Sequence, residues 1–135
     1  MRVGPIEYKI HPDSGLLYVW AEGHLRSSDI LAYLQAVAAD PDFESGLRVL
    51  TDLRRVDHYD LNPDDIRTVA EANAGLNAAA PPGRRLALVS PKDAVYGLLR
   101  MFQALSEGQD LDVRAFRTID EAVAWLEVPT DLVAP

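Results

Sequence analysis

The chain has 135 residues and no cysteine, which excludes disulfides, thiolate nucleophiles and cysteine-based zinc sites. Its length suits one domain, and 48% apolar with 25% charged residues is an ordinary globular mixture. Acids outnumber bases 21 to 13, and the formal charge of −8 repels phosphate backbones and anionic membrane surfaces. No nucleic-acid partner is therefore expected. No apolar run approaches the roughly 20 residues that span a bilayer. Met1 to Pro5 lacks the apolar stretch of a signal peptide, so a cytoplasmic protein is the default expectation.

Ile6, Tyr8 and Ile10 alternate with Glu7, Lys9 and His11, the period of a half-exposed strand. Pro12-Asp13-Ser14-Gly15 is turn chemistry, with Gly15 placed for a left-handed conformation. Leu16 to Ala21 is apolar on both faces and reads as an interior strand ending at Gly23. The two strands should form an antiparallel hairpin. Ser27 or Ser28 then caps a helix with Ile30, Leu34, Val37 and Ala38 at helical spacing, and Asp40-Pro41 stops it. Phe43 should tuck onto the core.

Arg48 to Leu53 follows as a buried central strand, and the rest of the chain is organised around it. Arg54 to Asp60 is too charged to be buried and reads as a polar loop. Asn62-Pro63-Asp64-Asp65 is a helix start: a capping side chain, a proline in the first turn, and acids where the dipole favours them. That helix runs to about Ala79 with a stripe of Ile66, Val69, Ala70, Asn73 and Leu76. Arg85 to Ser90 is another buried strand. Ser90-Pro91 opens a helix to about Glu107, ended by Gly108. Val113 to Arg117 is a short strand, and Thr118 with Glu121 is a capping box for the last helix.

The order is β-β-α-β-α-β-α-β-α. It predicts an α/β fold with a five-stranded, mixed but mostly parallel sheet. Residues 1–128 are expected to form a single domain, and 129–135 a loose tail.

Motifs for known chemistries are missing. The glycines never form a phosphate loop, and neither GxSxG nor HExxH occurs. His11, His24 and His58 are far apart in sequence, so no metal and no cofactor are expected. Asp52, near the end of a buried strand, needs donors. It is read as a brace accepting backbone N–H groups, with a partner such as Arg54 or Arg100 as the alternative. Gly97 in a helix marks close packing or an approaching ligand. Tyr96, Leu99, Arg100, Met101 and Phe102 are candidates for an apolar pocket, a dimer seam or the core.

Four segments in order carry a resemblance. They are Val49-Leu50-Thr51-Asp52-Leu53-Arg54-Arg55-Val56, Tyr96-Gly97-Leu98-Leu99-Arg100-Met101-Phe102, Val113-Arg114-Ala115-Phe116-Arg117 and Glu121-Ala122-Val123-Ala124-Trp125-Leu126. With them the chain resembles the SpoIIAA-like family, small bacterial proteins related to STAS (sulfate transporter and anti-sigma factor antagonist) domains. The resemblance implies a βα superhelix around a mixed sheet. It also implies an Asp-Ser-Ser motif after the central strand, where a partner kinase phosphorylates a serine. The matching positions here are Asp60, Leu61 and Asn62, which offer no hydroxyl. The same fold neighbourhood includes CRAL-TRIO-type lipid-binding domains, which implies an apolar-ligand role by analogy.

Three functions are expected in this order. The first is a non-enzymatic binding or regulatory module, a homodimer, that recognises a protein partner or small anion. Its surface would comprise Asp52, Arg54, Arg55, Asp57, His58, Tyr59, Asp60, Asn62 and Ser90, with an anion docking at the helix starts. The second is a carrier for a small apolar or lipid-like ligand, with a pocket of roughly 300 Å3 or more. The third is an enzyme using His58 with Asp57 or Asp60 as general base.

Overall fold

The computed structural model describes residues 1–44, 46–76, 83–109 and 111–133. Six strands and four helices alternate: β1 (Arg2–Val3), β2 (Ile6–His11), β3 (Leu16–Arg26), α1 (Ser27–Ala39), β4 (Arg48–Asp60), α2 (Pro63–Leu76), β5 (Arg84–Val89), α3 (Asp93–Leu105), β6 (Leu111–Phe116) and α4 (Ile119–Leu126). The sixth strand is the short β1, which folds back on β2 and pairs Val3 with Ile6. The expected helix end at Ala79 lies outside the described residues.

The strands lie in the sheet in chain order, β1 to β6. β2 pairs antiparallel with β3, across the turn where Gly15 takes a φ of 60°. From β3 onward every pairing is parallel, and β4 lies between β3 and β5 as expected. A sheet that grows in one direction places its crossover helices on one face. α1, α2 and α3 accordingly share a core with one face of the sheet, built on Leu17, Val19, Val49, Leu53, Leu86 and Leu88. α4 follows the last strand and covers the opposite face, over Leu16, Tyr18, Leu50, Ala87 and Val89. Alternate residues of β3, β4 and β5 therefore feed two cores, which is why these strands are continuous apolar runs.

The second core is closed by cations at the C-terminus of α4, where the helix dipole is negative. Arg48 donates to the Leu126 carbonyl at 2.6 Å, and Arg85 donates to the Trp125 carbonyl at 2.6 Å. Thr130–Leu132 form a 3-10 turn, and Leu132 and Val133 pack against this core. The chain after residue 129 thus stays attached through Val133, where a loose tail was expected.

Two strand lengths differ from expectation. β3 continues past Gly23 to Arg26, and β4 continues past Leu53 to Asp60. The segment read as a polar loop is thus the second half of a long strand. It pairs with β3 up to Arg26 opposite Asp60, while β5 stops pairing at Val89 opposite Asp52. Beyond that point β3 and β4 run on as a two-stranded ribbon. Its charges are tolerated because one face points to solvent. Register shifts follow Trp20 and Gly23, each inserting an extra β4 residue, and Gly23 has a φ of 76° that suits a bulge.

Candidate functional site

The ribbon has two distinct faces. Leu25 is buried and Tyr59 partly buried against the three-helix core. Their neighbours His24, Arg26, His58 and Asp60 face outward. His24 stands opposite His58 in the register, with ring centroids 4.5 Å apart and planes at 87°. His24 Nε2 lies 3.0 Å from an Asp60 carboxylate oxygen, and Arg26 Nη2 lies 3.4 Å from His24 Nδ1. Parallel pairing thus brings together two histidines that the sequence reading kept apart. Of the acids expected beside His58, Asp60 has a carboxylate oxygen within 4.8 Å of an imidazole nitrogen and is also bonded to His24, and Asp57 faces Lys92 Nζ at 3.2 Å. Arg55 pairs with Glu22 across the ribbon at 3.6 Å, so Glu22 joins the surface although no motif marked it.

Asp52 sits where the ribbon leaves the sheet, on the α4 side, and is 4% exposed. Arg54 Nε and Nη2 donate to its two oxygens at 2.9 and 2.8 Å. The Arg54 backbone N–H donates at 3.2 Å and the Tyr18 hydroxyl at 2.9 Å. Burial is the largest single influence on this carboxyl and pushes it up. The Arg54 and Tyr18 hydrogen bonds together outweigh burial and hold the carboxyl below its ordinary range. Both readings of Asp52 meet here: it is a backbone brace and an Arg54 partner. Arg100 is exposed on α3 and takes no part in these bonds.

The two helix starts are occupied by the chain's own groups. Asn62 Oδ1 accepts from the Asp65 N–H at 2.8 Å, and the Asp65 carboxylate accepts from the Asn62 N–H at 3.0 Å. Ser90 is fully buried and its Oγ accepts from the Lys92 N–H at 3.3 Å. Asp93, in the first turn of α3, pairs with Arg117 at 2.7 Å. An incoming anion would meet carboxylates at both starts, so the positive ends of these dipoles are not free for it.

A cavity of about 110 Å3 lies between the sheet and the α1–α2–α3 layer. It is smaller than the expected 300 Å3 and lies deeper. Of the α3 candidates, Leu99 and Phe102 line it, whereas Tyr96 and Met101 do not. Tyr96 lies under Arg117, whose guanidinium carbon is 4.2 Å from the ring centroid, and Met101 packs on the outside of the core. Among the described residues the exposed large apolar side chain is Met1, which gives Tyr96 to Phe102 no open apolar seam.

The cavity wall is apolar with a few polar exceptions. Arg84 is 6% exposed and lines the cavity. Its Nε donates to the Leu47 carbonyl, while Nη1 is buried without an acceptor among the described residues. Burial pulls this guanidinium down to about 10, opposed only by Tyr33. Tyr59 also lines the cavity, with its hydroxyl buried and without a partner among the described residues, and burial raises its pKa. The sequence pattern starts the strand at Arg85 and does not single out Arg84, which β5 includes. A signal was available: Arg84, Leu86 and Leu88 share one period-2 face, which places Arg84 in the three-helix core.

No family model matches the chain, and no curated relative does. Among solved structures it is similar to an uncharacterised protein of the DUF3478 family with a SpoIIAA-like fold, from Shewanella loihica PV-4. The identity is 18%, the match covers 90% of this chain and 91% of that one, and the TM-score is 0.51. The fold is SpoIIAA-like. At that identity the likeness shows the SpoIIAA-like architecture alone, and fold does not fix function. No described helix is long and apolar enough to cross a membrane.

Proposed function

We propose that this SpoIIAA-like protein is a binding module for a small apolar molecule carrying an anionic group, held in the cavity beneath α1, α2 and α3. The observation that carries this reading is Arg84. A guanidinium with little solvent contact and an unused Nη1 beside an apolar void is costly to keep. A carboxylate entering the cavity would accept from that nitrogen, and its chain would contact Leu86, Leu88, Leu99 and Phe102. At about 110 Å3 the cavity is smaller than the roughly 150 Å3 apolar cavity that holds benzene, so a six-carbon chain enters only if the covering helices move outward.

The test is calorimetric titration of hexanoate and 1-hexanol against wild type and Arg84→Met. Wild type should bind the acid at least about tenfold more tightly than the alcohol, a difference of roughly 1.4 kcal/mol. Arg84→Met should lose that preference. Equal affinity for both probes in wild type, or no binding of either, would remove the reading.

A second reading concerns the ribbon and is favoured by one observation. Past Asp52, β4 has lost β5 as a neighbour and presents Arg55, Asp57 and His58 to solvent. Such an edge suits pairing with a second copy of the chain. Sedimentation would then report a dimer that Arg55→Glu weakens, and a monomer at every concentration would exclude it.

A further inference from the structure

Of the three outward groups at the end of the ribbon, His24 and Asp60 belong to neither reading, and His58 enters the second only as an exposed edge residue. We infer that His24, His58 and Asp60 form a site for a divalent transition metal, with zinc as the fitting ion. Two imidazoles and one carboxylate are a donor set that suits zinc and neighbouring metals and does not suit magnesium. Their potential ligand atoms all lie within 4.8 Å of one another. Zinc bonds of about 2.0–2.1 Å in a tetrahedron place ligand atoms roughly 3.3 Å apart. His24 Nε2 and Asp60 are already at 3.0 Å, so the remaining closure falls to the exposed His58 ring.

The backbone makes the site more than a chance surface grouping. His24 and His58 are register partners on adjacent parallel strands, and Asp60 is two residues beyond His58 on the same face. Two alternate ladder positions, His24 opposite His58 and Arg26 opposite Asp60, thus supply all three groups on one face. The strands also end here: Arg26 leads into α1, and Asp60 is three residues from α2. A metal would clamp two strands at the points where each passes to its helix. Three protein ligands leave a position for water, the arrangement of an open site.

The surrounding charges set the conditions. Arg26 faces His24 Nδ1 and must turn away, because that nitrogen carries the proton once Nε2 binds metal. Arg26 is exposed and can do so in solvent. Arg55 is paired with Glu22 and Lys92 with Asp57, so both nearby cations are already neutralised.

The experiment is calorimetric titration of zinc into tag-free protein, with magnesium as the control ion. One zinc per chain is expected, with no magnesium binding. His58→Ala and Asp60→Asn should each weaken zinc by more than roughly a hundredfold, above the effect of losing an outer-shell group. His11→Ala should bind as wild type does. Absence of zinc binding, or variants at His58 and Asp60 that bind like wild type, would overturn the site. Cobalt(II) gives a readout that needs no variant. Intense visible bands at one equivalent indicate the expected four-coordinate site, and a weak six-coordinate spectrum counts against it.

Discussion

Two arginines on opposite faces of one sheet show how the same group is used in two ways. On the α4 face, Arg54 meets Asp52 through two side-chain bonds, and Tyr18 donates to the same carboxylate. Arg48 and Arg85 on that face also find carbonyls. On the three-helix face, Arg84 is more deeply buried and, among the described residues, has one carbonyl for its Nε and no acceptor for Nη1. A buried charge whose donors and acceptors are all used holds structure together. One that is left short of a partner lowers stability, and its retention points to something outside the chain that completes it.

The largest effect that would sharpen this contrast is at Asp52. Asp52→Ala removes the acceptor for Arg54 and Tyr18 and should cost about 3 kcal/mol by denaturant unfolding. Arg54 is partly exposed and can recover some hydration, which keeps the loss near the low end of the range for buried pairs. Tyr18→Phe removes one charge-assisted bond and should cost about 1.5 kcal/mol. The pH dependence follows from the direction of the Asp52 shift. Its folded carboxyl lies below the ordinary value of about 3.9, so its contribution is complete above that pH. It is lost as pH falls through the folded value, because the unfolded state then takes the proton more readily. Asp52→Asn should therefore flatten the decline in melting temperature below pH 4. Asp40, also held low by the Asp42 N–H and by Tyr8, keeps part of that decline. An unchanged acid limb would show that the Asp52 network does not contribute as argued.

The order of elements from β2 onward, the central place of β4 and the caps at Asn62 and Thr118 were legible in the sequence, because apolar runs and capping residues are local signals. The ribbon was not. Arg54, Arg55, Asp57 and Asp60 look like loop residues to any rule that expects a strand to hide one face in a core. β3 pairs with them only because a bulge near Gly23 carries it onward. The meeting of His24 with His58 depends on that same pairing, between residues 34 positions apart. Of the candidate residues, Asp52 was recognisable because a carboxylate in an apolar strand demands donors wherever it lies. Helical spacing turned Leu99 and Phe102 inward but left pocket, dimer seam and core as open alternatives for them. Arg84 was passed over because a basic residue at a strand start usually reaches solvent.

Substitution of Arg84 should change stability in the opposite direction to substitution of Asp52, although both groups make stability rise with pH in their own ranges. Its folded pKa is about 10, below the ordinary value of 12.5, so the unfolded state holds the proton more tightly. Stability therefore rises with pH between those two values, and at neutral pH the charged form is a constant penalty. Arg84→Met removes the penalty and leaves the Leu47 carbonyl without its donor, at a cost of about 1 kcal/mol. The expected net change is a gain of about 1 kcal/mol, the same at pH 6 and pH 8. A clear loss in the unliganded protein would mean that Arg84 is structural, and the contrast between the two faces would fail.

The smallest effect is at Tyr59. Its hydroxyl is buried at the cavity wall and bonded to nothing among the described residues, whereas the Tyr18 hydroxyl is used by Asp52. Both changes to phenylalanine delete the same atom. Tyr18→Phe loses a bond, but Tyr59→Phe loses only the desolvation cost of an unused group. Tyr59→Phe should leave stability unchanged or raise it by about 0.5 kcal/mol. If a cavity ligand also bonds this hydroxyl, Tyr59→Phe will weaken hexanoate binding while leaving the unliganded protein as stable as before. A change that destabilises the unliganded protein as much as Tyr18→Phe does would show that the Tyr59 hydroxyl has a structural partner, and that the three-helix face is no less self-sufficient than the α4 face.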